Sequence, residues 1–215
     1  MDPKTVKLKT VLFSLGAVAV LELAAGGLGT MWGLGLVRGL QAVAIVFIAV
    51  KTEGGPAPLG LERGTPVPGF VGGLYWSAAF GALALLGFIL LSLLGFSPLE
   101  AFRVRLPGKL GDLLLFFLVG GIISPIAEEI FFRGLMVGFF RRGGLAAALA
   151  ASTALFVLAH GPGRAALWTQ AVGGLVFALA FERSRALTTP ITIHVLGNLA
   201  LFSLGLLWRA GFFRL

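Results

Sequence analysis

The stretch Ser124-Pro125-Ile126-Ala127-Glu128-Glu129-Ile130-Phe131-Phe132-Arg133 places two adjacent carboxylates and an arginine inside a long apolar segment. Each ionised group in hydrocarbon costs several kcal/mol unless it is paired or lines a wet cavity. A chain this apolar has no packing reason to gather three charges at that depth. The stretch therefore reads as a functional site, and the rest of the sequence should supply its partners.

The surrounding composition fixes the class. Of 215 residues, 58% are hydrophobic and 12% charged, against about 45–50% and 25% in a soluble domain. The chain reads as an all-α, polytopic membrane bundle and a single transmembrane domain over residues 1–215. Apolar runs punctuated by Gly, Pro and charged turns give about seven transmembrane helices, or eight. The N-terminal helices cover about 10–96 and the motif-bearing core about 112–208. The net charge of +8 is spread over loops. It suits anionic lipid and loop anchoring rather than nucleic acid. Loop lysines and arginines lean toward a cytoplasmic N-terminus in a prokaryotic cell membrane. Cysteine is absent, which removes disulfides, thiolate metal sites and cysteine nucleophiles.

Several local features follow. Glu22 and Arg38 flank the turn at Gly29-Thr30-Met31 and sit at nearly the same depth. They read as an ion pair between the first two helices, with a part in substrate access as the second reading. Gly35 and Gly39 form a small-xxx-small pair that admits a close helix neighbour. Prolines 56, 58, 66 and 68 mark Lys51 to Gly69 as a loop. The basic connector Ser97 to Gly111 has room for a short amphipathic helix. Pro125 should kink the fourth span.

The partners of the carboxylates are the chain's two histidines, both in apolar segments. Glu129 and Arg133 are spaced i, i+4 and share a helix face. Glu128 is rotated by about 100° and points elsewhere. A division of labour follows, with Glu129 and Arg133 as the orienting pair and Glu128 facing a cavity. About the turn Arg141–Gly144, Glu128 and His160 lie at one level on antiparallel helices. His194 and Asn198 share a face of a later helix. This puts the site between the fourth, fifth and seventh helices. One difficulty stands. If the last three spans are simple antiparallel rods, His194 starts near the opposite membrane face from His160. The Arg183–Pro190 stretch must then run back into the bundle, or the sixth span must be short or tilted.

A carboxylate and a histidine around a water suit general-base attack on a carbonyl. His194 and Asn198 suit hydrogen bonding to the oxyanion that develops. The same set could instead hold one divalent metal such as zinc, with Glu128, His160 and His194 as ligands. A proton-coupled transporter, relaying protons along the Glu/His/Arg chain, is the alternative from another class. It would be expected to show internal repeats, and none is visible. A non-catalytic immunity or scaffold protein is the third reading.

Glu128-Glu129-x-x-x-Arg133, Phe156-x-x-x-His160 and His194-x-x-x-Asn198, in that order, resemble the three motifs of the CAAX prenyl endopeptidase and bacteriocin-processing (CPBP, ABI) family of intramembrane proteases. All signature positions are present, over roughly Leu113 to Phe202. The resemblance implies an intramembrane endopeptidase of glutamic or metalloprotease type, acting on membrane-associated peptide or prenylated protein substrates. By similarity, Glu128 and His160 would activate water, His194 and Asn198 would form the oxyanion hole, and Glu129 with Arg133 would support Glu128. The implied partners are membrane lipid and the substrate; oligomeric state is not encoded.

Overall fold

A computed structural model describes residues 5–26, 29–96, 104–161 and 164–211. Among these residues the chain is helical, with seven long helices: α1 (Leu8–Ala24), α2 (Met31–Glu53), α3 (Pro66–Leu93), α4 (Leu110–Gly143), α5 (Leu145–Ala159), α6 (Arg164–Ser184) and α7 (Thr188–Arg209). By length and composition, α2, α3, α4 and α7 can each cross a membrane, and α5 is a shorter apolar helix. The architecture is that of a multi-pass membrane protein.

The helix boundaries have local causes. Thr30 caps α2, its hydroxyl accepting from the Gly33 N–H at 3.1 Å. Gly54, at φ 82°, ends the same helix in the left-handed conformation that glycine adopts without a Cβ clash. The proline-rich loop is shorter than the sequence suggests. Pro66 opens α3 and Pro68 falls in its first turn, where a missing N–H breaks no intrahelical bond. The connector expected to hold an amphipathic helix is non-helical over 104–109, and its residues 97–103 lie outside those described. Pro162 and Gly163 of the turn after α5 also lie outside them.

The central element is α4, which packs against α2, α5, α6 and α7. It is not broken at Pro125. It contains two widened, π-type stretches, Val119–Ile123 and Ile130–Val137, on either side of Ser124–Glu129. In the first, the Ser124 N–H reaches back to the Val119 carbonyl. Pro125, with no N–H, cannot make the next bond in that series, and the extra residue per turn absorbs its ring without a break. Close approach is bought with small residues: a Cβ on Gly35 would lie 2.9 Å from Val119 of α4, whereas one on Gly39 would meet nothing within 4 Å. Of the small pair, only Gly35 serves as a helix contact.

The helix α3 packs on α7 through Gly69 and Gly73, where a Cβ would run into Thr188 and Thr192. The Thr189 hydroxyl donates to the Gly69 carbonyl at 3.0 Å. No residue in the most apolar window of α3 is buried, as suits a helix whose other faces meet hydrocarbon. The connector from α6 to α7 resolves the depth problem. It spans only residues 185–187; Ala186 and Leu187 are buried, and the Leu187 N–H donates to the Gly60 carbonyl at 2.9 Å. The chain therefore turns inside the bundle. Phe177 lies about 10 Å before this turn and His194 about 9 Å after it, at 1.5 Å per helical residue. They are at one level, while the first turns of α6 extend beyond it.

Candidate active site

Helix α4 contributes Glu128, Glu129 and Arg133; α5 ends on His160; α7 contributes His194 in its second turn. The α4–α5 hairpin brings Glu128 Oε2 to 3.6 Å from His160 Nε2. The buried turn before α7 brings His194 Nε2 to 3.8 Å from the same oxygen. The Glu128 side chain is 19% exposed and that of His160 28%. Both line a cavity of about 560 Å³, within the roughly 300–1,000 Å³ range of ligand-binding clefts.

The neighbouring carboxylate has a different task. Glu129 and Arg133 are completely buried and paired at 3.1 Å. The same Glu129 Oε1 lies 2.7 Å from His194 Nδ1, a link that helix spacing alone could not show. Arg133 also donates from Nη2 to the Gly174 carbonyl of α6 at 3.1 Å. Its guanidinium lies 4.6 Å from the Phe156 ring centroid and 5.1 Å from that of Phe177. Cation–π contact is strongest where the cation has lost its water. Phe177 in turn stacks on His194, with centroids 4.7 Å apart and planes 22° apart. Phe156 meets both His160 and His194. It is packing that ties the two imidazoles together, and Phe177 is a partner that no sequence spacing pointed to.

The histidine hydrogen bonds fix what each ring presents. His160 Nδ1 lies 2.8 Å from the Phe156 carbonyl. A carbonyl only accepts, so Nδ1 carries the proton and Nε2 faces Glu128. His194 Nδ1 likewise donates to Glu129, which also accepts from Arg133. The His194 Nε2 can donate to an oxyanion only when the ring carries both protons.

Asn198 is held apart from this group. Its Nδ2 donates to the Gly120 carbonyl at 2.9 Å. That carbonyl is the one Pro125 leaves without a donor in the widened turn, so Asn198 replaces the missing N–H. The second Nδ2 hydrogen remains available.

No three His, Asp or Glu side chains among the described residues group as a metal centre. The Glu128–His160 and Glu128–His194 separations exceed the roughly 3.3 Å edges of a tetrahedron built on ~2.0–2.1 Å zinc bonds. The metal-ligand reading of Glu128, His160 and His194 gains no support from this geometry.

In the same cavity, Arg38 Nη1 lies 2.8 Å from Glu22 Oε1. Gln41 joins the pair, its Oε1 accepting from Arg38 at 2.8 Å and its Nε2 donating to Glu22 at 2.9 Å. The ion pair forms as the sequence suggests, but it lines the same cavity as Glu128 and His160.

The model of one family, described as type II CAAX prenyl endopeptidase Rce1-like, matches residues 110–200. By that match the segment is similar to the Rce1-like family. It covers α4, α5, α6 and the first half of α7, and with them every motif residue named above. The Rce1-like family is one of proteases, and the match supports the resemblance carried by the three motifs and a peptidase activity in general terms. An uncharacterized 24.3 kDa protein of Escherichia coli is 29% identical over 169 residues, 73% of this chain and 72% of that protein. No solved structure matches the chain.

Proposed function

We propose that this protein is an intramembrane endopeptidase in which Glu128 and His160 activate a water for attack on a peptide bond. The observation that carries this reading is the position of Glu128 Oε2, 3.6 Å from one imidazole Nε2 and 3.8 Å from another. These separations are too long for direct hydrogen bonds and suit a water between the groups. Glu128 takes the water's proton as its oxygen attacks the carbonyl carbon, and then delivers that proton to the leaving amine. His160 Nε2 holds the water. His194 Nε2–H and the second Nδ2–H of Asn198 would donate to the tetrahedral oxyanion. Glu129, Arg133, Phe156 and Phe177 hold the two rings in place. Substrates would be membrane-associated peptides or prenylated proteins, reached from a multi-pass location with the N-terminus on the cytoplasmic side.

The test is cleavage of membrane-tethered fluorogenic peptides by the purified full-length protein, with products identified by mass. Glu128→Gln and His160→Ala are expected to reduce turnover by roughly 10²–10⁴-fold while the thermal transition persists. Near-normal turnover in either variant overturns the assignment.

A further inference from the structure

Three further polar residues line the cavity and lie outside the set proposed to activate water. Glu22 comes from α1, and Arg38 and Gln41 from α2. They form a closed triangle of hydrogen bonds. Helix pairing alone would be met by a cluster facing away from the site. This one lines the cavity that also contains Glu128 and His160.

The donor inventory of Arg38 shows what the wall can take. A guanidinium has five N–H donors. Both hydrogens of Nη1 are used, one by Glu22 and one by Gln41. The Nε hydrogen and the two on Nη2 have no partner among the described residues. That edge of the guanidinium is a fork whose geometry matches a carboxylate in two parallel hydrogen bonds. Glu22 and Gln41 fix the opposite edge, so the fork is held in place before a ligand arrives and little ordering entropy remains to be lost. The side chain is 30% exposed, open to the cavity rather than sealed.

We propose that Arg38, braced by Glu22 and Gln41, is the substrate-anchoring residue of this site, binding a carboxylate of the peptide chain while the scissile bond lies at Glu128. The inference rests on the proteolytic reading and adds a positional rule to it: the bond cut is set by the length of chain between the carboxylate held at Arg38 and the peptide group at Glu128 and His160, which line the same cavity. The anchored carboxylate is either the chain's C-terminus or an acidic side chain, since the fork binds both alike.

Three membrane-tethered peptides of one sequence distinguish these sources: one with a free C-terminal carboxylate, one with a C-terminal amide, and one amidated with an Asp at its last position. Wild-type protein in phosphatidylcholine vesicles is expected to cut at least one carboxylate-bearing peptide roughly ten- to a hundredfold more efficiently than the neutral amide. The difference should lie in KM, and which peptide gains identifies the source. In Arg38→Gln the ratio should fall toward one. Equal efficiency on all three peptides in the wild type, or a preference that survives in Arg38→Gln, overturns the anchor and leaves the protease reading intact. No cleavage of any of the three overturns both. Should Arg38→Gln not fold, Glu22→Gln serves instead. It removes the competing carboxylate but keeps an acceptor for Arg38, so the ratio should widen, and an unchanged or narrower ratio overturns the proposal.

Discussion

His194 is bonded to Glu129 and not to Glu128: its Nδ1 lies 2.7 Å from Glu129 Oε1, while its Nε2 stands 3.8 Å from Glu128 Oε2. Adjacent glutamates on one helix thus meet opposite nitrogens of the His194 ring, and Glu128 alone also faces His160. One is completely buried and shared between Arg133 and His194; the other opens on the cavity. On the proposed mechanism, stability and chemistry fall on separate side chains, and variants can separate them.

Glu129→Ala should destabilise the protein by about 3–5 kcal/mol, because it leaves Arg133 buried without its carboxylate. Glu129→Ala combined with Arg133→Met should recover much of that loss. Unfolding in detergent, followed through a double-mutant cycle, checks this. A Glu129→Ala protein as stable as its parent would show that the pair is not structural.

Along α3, glycines of similar appearance should behave differently. A Cβ on Gly73 would lie 2.5 Å from the Thr192 Cβ and 2.9 Å from the Thr189 carbonyl, whereas Gly81 has nothing within 4 Å. Gly73→Val should cost about 1–3 kcal/mol through overpacking. Gly81→Ala should be neutral or stabilising by up to about 1 kcal/mol. Equal melting temperatures for the two variants would contradict the α3–α7 contact.

Asn198 is assigned two tasks, and Pro125 distinguishes them. Asn198→Ala should lose about 1–2 kcal/mol of stability by stranding the Gly120 carbonyl, and roughly 10²–10³-fold in kcat if its second N–H meets the oxyanion. Pro125→Ala restores a backbone N–H, so the double variant should regain stability without regaining kcat. Recovery of both would make Asn198 a purely structural residue.

If Glu128 and His160 activate water as proposed, activity should survive exhaustive chelation. Elemental analysis beside the cleavage assay decides this. Stoichiometric zinc, with activity lost on its removal and restored on its return, would make Glu128, His160 and His194 ligands.

Much of this arrangement was legible in the sequence, for identifiable reasons. Charge at membrane depth singled out Glu128, Glu129 and Arg133, and i, i+4 spacing paired the last two. Arithmetic about the Arg141–Gly144 turn put Glu128 level with His160, which the 3.6 Å separation matches. What stayed hidden depended on backbone irregularity or on contacts between distant helices. Periodicity assumes a regular α-helix, so the widened turns around Pro125 and the Gly120 carbonyl they leave to Asn198 had no signal. The buried turn at Ala186-Leu187 looks polar because Arg183 and Arg185 precede it. Gln41 lies one turn after Arg38, and that i, i+3 spacing puts it on the same helix face.

The partners of Arg133 also bear on how the chain enters a bilayer. Its carboxylate comes from its own helix four residues earlier, whereas its carbonyl partner and its two nearest aromatic rings come from α5 and α6, which are synthesised later. The intrahelical pair can form before those helices exist, so α4 can leave the translocon as a segment carrying an internally neutralised charge. The later helices then replace water around an ion that already has its counter-ion. On this account the second glutamate of the motif is a requirement of biogenesis as well as of the finished site. In a glycosylation-mapped insertion assay of α4 alone, Glu129→Ala should insert less readily than the parent helix; equal insertion would confine the role of Glu129 to the folded bundle.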